Sequence, residues 1–320
     1  MMENDVLKQS GEDGIDRRGM LQCMAWVGTG LLWTLKGGLP TARVFGQDAK
    51  TAAKTDFSFV QISDSHIGFS KDPNKDVIGT LKEVVAKINA LPQQPAFVLH
   101  TGDLTHLAKP EEFDTVAEVL KGVKAGKVLY IPGEHDFDSD DNKLYLERFG
   151  QDTKGTGWYS FDHKGVHFVG LVNVANAKSG SPMAGLGRLG KDQLYWLGKD
   201  LAGLADSAPV VVFAHVPLWT VYEKWGWGTE DAEQVMKLLK RFGSVTVLNG
   251  HIHQIMQKVE GKVKFHTARA TAFPQGEPGK GTPGPLRDVP ANRLRGFLGL
   301  TSVAYIEHKS SLAITDSTLQ

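Results

Sequence analysis

Five short polar motifs, each directly after an apolar run typical of a β-strand, constrain the fold of this chain most strongly. In chain order they are Asp64-Ser65-His66, Gly102-Asp103, Gly133-Glu134-His135-Asp136, His215 and Gly250-His251-Ile252-His253. Because loops at the carboxyl ends of strands in α/β sheets converge on one crevice, we expect the fold to bring these residues together. Carboxylate oxygen and imidazole nitrogen are ligands of divalent first-row metals, so the motifs predict a metal site.

The composition is that of a globular protein with a sizeable core. The chain has 320 residues, of which 41% are hydrophobic and 22% are charged. Lys+Arg and Asp+Glu both number 36, and this neutral balance argues against a nucleic-acid partner, which selects basic surfaces. Cys23 is the only cysteine, so disulfides cannot stabilise the fold and the metal ligands must be oxygen and nitrogen.

The first 46 residues have the layout of an export signal. An apolar stretch at 20–35 follows the pair Arg17-Arg18. The stretch is short for a transmembrane helix and suits the hydrophobic region of a signal peptide, and the paired arginines resemble a twin-arginine signal. We therefore predict a signal peptide at 1–46, cleaved near Gly46, and a linker at 47–55. An uncleaved membrane anchor or a plain amphipathic helix is the alternative.

This layout predicts an exported, periplasmic protein. It would contact the export machinery transiently and keep no stable membrane anchor after processing.

Residues 56–320 are predicted to form one domain in which strands and helices alternate. Apolar or alternating runs predict strands at 57–63, 96–100, 127–131, 158–162, 166–172, 210–214 and 245–248, and hairpins at 254–266 and from 304–307 to 312–315. Helical spacing predicts helices at 77–90, 110–121, 190–204 and 229–242, the last with Thr229 as its N-cap. A Pro- and Gly-rich loop is predicted at 273–295. The rhythm predicts helices packed on a sheet.

The ordered motifs resemble those of the calcineurin-like metallophosphoesterase superfamily, and of its bacterial cyclic-nucleotide-phosphodiesterase-like branch in particular, over residues 56–266. The resemblance implies an α/β (α+β) fold, with a central β-sandwich of two mixed sheets flanked by helices. It also implies a phosphoric ester hydrolase with two divalent or mixed-valence metal ions (Mn, Fe or Zn). The substrate would be a small-molecule phosphodiester or phosphomonoester.

The resemblance assigns the motif residues to two metals that share one carboxylate. The implied ligands are Asp64, His66 and His253 for the first metal, Asp103 for both, and Glu134, His215 and His251 for the second. Two cations about 3.5–4 Å apart would neutralise phosphate oxygens and lower the pKa of a bridging water, which supplies a hydroxide nucleophile. His135 would contact the phosphate and assist the leaving oxygen, with Asp136 orienting its ring.

Glu134 departs from the family pattern, which usually has asparagine at this position. Glutamate adds a negative charge and one methylene of reach. It could bind the second metal more tightly and favour a more highly charged ion, it could reduce the acidity of the metals and slow hydrolysis, or it could turn away and leave water as the ligand. We favour the first outcome because carboxylate is a better ligand than amide for hard metals.

Candidate substrate-binding residues are less well defined by the sequence. The aromatic residues that follow His215, Trp219 and Tyr222 among them, form either a small hydrophobic cluster or a wall that stacks on the substrate. Arg269 could reach a phosphate from a loop. His106 lies where purple acid phosphatases place a tyrosine ligand, so we expect at most an indirect role for it.

A metal-poor binding scaffold on the same fold, as in retromer-type subunits, is the alternative function. Such scaffolds lose catalytic histidines, whereas this chain keeps His135 and His215, so we favour an enzyme.

Overall fold

The computed structural model describes residues 30–36, 39–45, 56–137, 142–174, 186–306 and 311–320. The chain divides into two compact units, Met1–Lys54 and Thr55–Gln320. In the first, β1 (Gly30–Lys36) and β2 (Leu39–Phe45) form an antiparallel hairpin. The remainder of the predicted signal peptide and the linker at 47–55 lie outside the described residues. No helix in the described ranges combines the length and the apolar character needed to cross a membrane.

The second unit contains the strands and helices that position the candidate site. Its strands are β3 (Phe57–Ile62), β4 (Val98–Thr101), β5 (Val128–Ile131), β6 (Tyr159–His163), β7 (Val166–Leu171), β8 (Pro209–Ala214), β9 (Ser244–Asn249), β10 (Gln257–Glu260), β11 (Val263–Thr267), β12 (Gly299–Ile306) and β13 (Ser311–Thr318). Its helices are α1 (Val77–Asn89), α2 (Pro110–Leu120), α3 (Lys143–Phe149), α4 (Lys191–Ala202), α5 (Ala232–Leu239) and α6 (Ala291–Leu294).

The strands of this unit form two mixed sheets. One has the order β13-β12-β3-β4-β5, and the other has the order β10-β11-β9-β8-β7-β6. In the first sheet β3, β4 and β5 run parallel, β12 pairs antiparallel with β3, and the edge strand β13 pairs antiparallel with β12. In the second sheet β7, β8, β9 and β11 run parallel between two antiparallel edge strands.

Strand β3 shows how the layers of the domain form. Phe59 points between the sheets, where it stacks on Phe97 and packs edge-on against Phe168 of β7. Val60 and Ile62 lie in a separate apolar cluster with side chains of α1 and α2. Because successive side chains of a strand point to opposite faces, one strand serves both the inter-sheet core and the helical layer.

Helices α4 and α5 cover the outer face of the second sheet. Leu197 of α4 and Val235 of α5 pack in one cluster with Val210 and Val212 of β8. Helices therefore lie on the outside of both sheets. This arrangement confirms the predicted sandwich of two mixed sheets flanked by helices.

Three local predictions differ from the structure. Helix α5 begins at Ala232, and Thr229 does not cap it, because the Thr229 hydroxyl donates to the carbonyl of Pro217. Helix α3 was not predicted because its seven residues are too short to show helical periodicity. The predicted loop at 273–295 contains the single-turn helix α6.

Candidate metal centre

The candidate ligands lie beyond the carboxyl ends of strands from both sheets. Asp64 follows β3, Asp103 follows β4, Glu134 follows β5, His215 follows β8, and His251 and His253 follow β9. Strands β3, β4 and β5 run parallel to one another, as do β8 and β9. The loops therefore leave each sheet at a single edge, and the distances below show that the two edges meet.

Left-handed backbone brings many of these side chains inward. The candidate ligands with positive φ are Asp64 (56°), His66 (40°), Asp103 (52°), His251 (70°) and His253 (53°). Non-glycine residues rarely adopt this conformation, and clusters of it mark sites where the fold enforces local strain. One consequence is that His251 and His253, only two residues apart, contribute to different groups of donor atoms.

The first group of donors consists of Asp64, His66, Asp103 and His253, whose ligand atoms all lie within 4.8 Å of one another. The Nε2 of His253 lies 3.2 Å from Oδ1 of Asp64 and 3.2 Å from Nε2 of His66. All four residues are buried. This is the combination of two carboxylates and two imidazoles that the motifs predict for the first metal.

The second group consists of Glu134, His215 and His251. The two carboxylate oxygens of Glu134 divide between the rings: Oε2 lies 2.8 Å from Nε2 of His215, and Oε1 lies 2.8 Å from Nδ1 of His251. The Glu134 side chain is only 8% exposed. The structure therefore excludes the outcome in which this glutamate turns away from the site.

Asp103 lies between the two groups. Its Oδ2 is 3.4 Å from Nε2 of His66 in the first group and 3.4 Å from Nε2 of His215 in the second. Its Oδ1 accepts a hydrogen bond from the backbone N–H of His135 at 2.9 Å, which fixes the carboxylate. The chain at Gly133 comes so close that a Cβ there would overlap this carboxylate. The glycine before Glu134 is therefore required by the site.

Backbone carbonyls orient two of the imidazoles. Nδ1 of His253 donates to the carbonyl of Phe273 at 2.6 Å, and Nδ1 of His215 donates to the carbonyl of Thr101 at 2.7 Å. A carbonyl only accepts, so Nδ1 carries a proton in both rings and Nε2 is the nitrogen that faces the site. Metal-ligating histidines are held in this way by the ring nitrogen that does not bind the metal.

The donor atoms are arranged to bind metal ions rather than to form hydrogen bonds with one another. Oε2 of Glu134, Nε2 of His215 and both ring nitrogens of His251 are buried without a hydrogen-bond partner. The short Glu134–His contacts lack hydrogen-bond angles, although their distances are short enough. Unpaired buried polar atoms are costly, and a cation at their point of convergence removes that cost.

Comparison with known proteins places this constellation in a family. The family model described as "Calcineurin-like phosphoesterase" matches residues 57–255, a range that contains all seven candidate ligands. The chain belongs to the calcineurin-like phosphoesterase family. Divalent metal ions are therefore expected in the two donor groups, and the chain is a metal-dependent phosphoric ester hydrolase, as the motifs predicted.

Curated relatives and solved structures agree with this family assignment. The chain is 26% identical over 226 residues to the glycerophosphodiester phosphodiesterase GpdQ of Enterobacter lignolyticus, covering 66% of this chain and 76% of the relative. It is 25% identical over 222 residues to the serine/threonine-protein phosphatase CPPED1 of Danio rerio, covering 62% and 70%. A dimetal phosphatase structure from Danio rerio shares the fold, with a TM-score of 0.61, 15% identity and coverage of 83% and 99%.

The other catalytic candidates, His135 and Asp136, have different surroundings. Nδ1 of His135 donates to the carbonyl of His106 at 2.8 Å, and the two rings stack at 13°. The Asp136 carboxylate instead accepts hydrogen bonds from the backbone N–H groups of Leu104, Thr105 and Gly133 and from the Thr105 hydroxyl. The prediction that Asp136 orients the His135 ring is therefore wrong. Asp136 joins two metal-site loops, and the His106 carbonyl orients the ring.

A cavity of about 250 Å³ opens onto both donor groups. On the metal side it is lined by His66, Asp103, Glu134, His135, His251 and His253. The other side is formed by His106, Trp227, Phe273, Gln275 and the segment 283–285. Most of these residues could not be identified from the sequence, because they belong to loops that show no periodicity. The position of His106 three residues after Asp103 was the one usable signal.

The predicted substrate-binding residues do not line this cavity. Trp219 packs edge-on against Phe265 in the cluster beneath α4 and α5. Tyr222 packs against Trp225, behind the cavity wall. The Arg269 guanidinium donates to the carbonyl of Phe297. The packing of Trp219 and Tyr222 thus favours the hydrophobic-cluster alternative, and contact of Trp219, Tyr222 and Arg269 with the substrate stays a prediction.

Charge interactions among the residues of the site follow from its burial. Burial disfavours the ionised Glu134, but the His251 and His215 rings outweigh it and hold the pKa of Glu134 well below its usual range. Burial also opposes protonation of His135, but the carboxylates of Asp103 and Glu134 outweigh it and raise the pKa of His135. Burial, reinforced by Asp103, raises the pKa of Asp136 to about 7. Asp103, Glu134 and Asp136 thus form a cluster of acidic groups that cations would stabilise.

Proposed function

We propose that this chain hydrolyses a small-molecule phosphate ester, diester or monoester, at a centre of two metal ions. The observation that carries the proposal is the position of Asp103, whose Oδ2 lies 3.4 Å from one histidine of each donor group. A carboxylate between two sets of imidazole ligands is what a two-metal site requires. Two bound ions would supply Lewis acidity and positive charge for the attack of water on phosphorus.

The proposed ligands follow the two donor groups. One ion would be held by Asp64, His66, Asp103 and His253, and the other by Asp103, Glu134, His215 and His251. The mixed oxygen and nitrogen donors suit Mn, Fe or Zn.

His135 would act on the leaving group. Its Nδ1 is engaged by the His106 carbonyl, so Nε2 is the ring atom left for a substrate oxygen in the cavity. Despite burial, the carboxylates of Asp103 and Glu134 raise the pKa of His135, which favours a proton on that nitrogen. Nε2–H can therefore hydrogen-bond a phosphate oxygen or donate its proton to the departing alkoxide.

Metal analysis combined with a substrate panel tests this proposal. We expect close to two ions per chain, turnover of an aryl phosphodiester or monoester that chelation abolishes, and recovery when Mn²⁺, Fe²⁺ or Zn²⁺ is restored. Asp103→Ala should lower the occupancy of both ions, whereas His253→Ala should chiefly affect one. A folded protein with neither metal nor turnover would favour the scaffold alternative.

We further propose that residues 1–46 direct export by the twin-arginine route to the periplasm and are then removed. The support is the order of the polar segment, Arg17-Arg18 and the apolar stretch at 20–35. Replacing both arginines by lysine keeps the charge but removes the pair, so it should leave the protein in the cytoplasm. The amino-terminal sequence of the exported wild type should begin near residue 47. Unchanged export of the lysine variant would contradict this route.

A further inference from the structure

Three carboxylates of the metal centre carry an unusual total charge. Asp64, Asp103 and Glu134 all contribute oxygens to the two donor groups. With two divalent ions, the three negative charges leave one net positive charge on the metals and their carboxylates. An amide in place of Glu134 would leave two. The choice between glutamate and an amide at position 134 therefore changes by one unit the net charge of the centre that attracts a phosphate ester.

Glu134 belongs both to the metal centre and to the lining of the cavity in which a substrate would bind. Its carboxylate lies 2.8 Å from a ring nitrogen of both His215 and His251, and the residue also lines the cavity. The separation from a bound phosphate group is therefore short. Charges a few ångströms apart in a half-buried site interact strongly, so one charge at position 134 strongly affects the free energy of anion binding.

No lysine or arginine compensates for this acidic ligand in the described part of the cavity wall. The remaining wall is apolar or neutral, with Trp227, Phe273 and Gln275 facing the metal side. A phosphomonoester is largely a dianion at neutral pH, whereas a diester is a monoanion. Because electrostatic attraction scales with the product of the charges, lowering the charge of the centre by one unit weakens the binding of a dianion about twice as much as that of a monoanion.

We propose that Glu134 is a specificity-determining residue that tunes the site to monoanionic phosphodiesters at the expense of dianionic monoesters. This inference rests on the proposed two-metal function. It predicts that the choice between the two anions, rather than hydrolysis as such, depends on the charge at position 134. His106 and His135 also face the cavity, but they are common to every variant compared below and cannot cause a difference between them.

The test compares Glu134→Gln with the wild type after chelation and reloading with Mn²⁺, so that both ions are divalent. Isothermal titration calorimetry measures binding of dimethyl phosphate, a monoanion, and of methyl phosphate, a dianion. In parallel, kcat/KM is measured for bis(p-nitrophenyl) phosphate and p-nitrophenyl phosphate, which release the same alcohol. Glu134→Gln should shift both diester-to-monoester ratios toward the monoester by about tenfold to a hundredfold.

Glu112→Gln is the matched control. The Glu112 carboxylate accepts hydrogen bonds from the backbone N–H groups of His106 and Leu107, one loop away, and Glu112 does not line the cavity. The substitution removes the same charge and leaves an oxygen able to accept. It should change neither ratio by more than about twofold, because the Glu112 carboxylate lies outside the cavity and outside both donor groups. A shift equal to that of Glu134→Gln would overturn the specific role of Glu134.

Metal content separates the remaining outcomes. Unchanged ratios in a Glu134→Gln protein with two Mn²⁺ would overturn the inference. Loss of one ion in both Glu134→Gln and Glu134→Asn would also overturn it, since the charge would then be needed to hold the metal. If the wild type binds two ions but hydrolyses neither ester, the proposed function fails. The calorimetric ratios would still decide the role of Glu134.

Discussion

Nδ1 of His66 lies 3.3 Å from Nδ1 of His106. Nε2 of His66 belongs to the first donor group, so the proton of this ring must reside on Nδ1 when a metal is bound. His106 must then accept at Nδ1 and carry its own proton on Nε2. Burial, followed by the neighbouring His135, lowers the pKa of His106 to about 4 and keeps it neutral as this acceptor role requires.

We therefore expect His106 to position a metal ligand. His106→Leu should weaken metal binding by about tenfold to a hundredfold, the usual effect of losing the partner of a ligating histidine. His106→Asn places an oxygen where Nδ1 was and should restore much of the affinity. Competition with a chromophoric chelator measures both. Equal affinity in the leucine variant and the wild type would contradict the role.

Asp136 should stabilise the site without acting on the reaction. Its carboxylate accepts four hydrogen bonds from Leu104, Thr105 and Gly133. The amide NH2 of an asparagine at this position cannot accept, so at least one of those N–H or O–H groups would lose its acceptor. Asp136→Asn should lower the free energy of unfolding by about 1–3 kcal/mol. Thr105→Val, which removes one of the four donors, should cost less.

Kinetics distinguish this structural role from the one predicted from the sequence. Asp136 makes no hydrogen bond to the His135 ring and raises its pKa less than Asp103 and Glu134 do, so the pH–rate profile of folded, metal-loaded Asp136→Asn should shift only slightly. A large displacement of the acidic or basic limb would instead support the original assignment.

The alternating strands and helices and the candidate ligands were predicted from local patterns, whereas the two-sheet sandwich and the division of the ligands into two groups were implied by the family resemblance. Each ligand follows an apolar strand, and parallel strand ends meet at one edge of a sheet. Even the boundaries of β3 and α1 were predicted to within one residue.

What could not be predicted depends on contacts between distant loops. Whether Asp136 bonds to the neighbouring ring or to a loop thirty residues away is decided by how the loops after β4 and β5 approach each other. His167 of β7 is buried beside Asp200 of α4, a contact between distant segments that no local pattern indicates. The cavity wall at Trp227 likewise depends on the path of a loop with no periodic pattern.

Trp227 should contribute to substrate binding more than its aromatic neighbours. It lines the cavity, and its indole N–H is buried without a hydrogen-bond partner. Trp227→Phe keeps an apolar ring but loses that donor and some contact area, so we expect KM for aryl phosphate esters to rise about three- to tenfold with little change in kcat. Trp219→Phe, outside the cavity, is the control. Steady-state kinetics that show equal effects of the two substitutions would contradict this placement.

His167 should make stability depend on pH at a place remote from the metals. Its Nδ1 lies 2.9 Å from Oδ1 of Asp162 and its Nε2 lies 2.9 Å from Oδ2 of Asp200, which also accepts a hydrogen bond from Ser160. Burial lowers the pKa of His167, but the two carboxylates outweigh this and raise it; burial likewise opposes ionisation of Asp200, but His167 lowers its pKa overall.

The sign of the effect follows from these shifts. A raised folded-state pKa for His167 gives stability that is complete below about pH 6.5, its unfolded value, and is lost as pH rises through the folded value. The lowered pKa of Asp200 gives stability that is present above about pH 4 and is lost in more acidic solution. His167→Gln should therefore cost about 1–2 kcal/mol near pH 5.5 and progressively less in alkaline solution. Urea unfolding of both proteins from pH 4 to 9 measures this difference, and a cost independent of pH would show that the pair is not ionic.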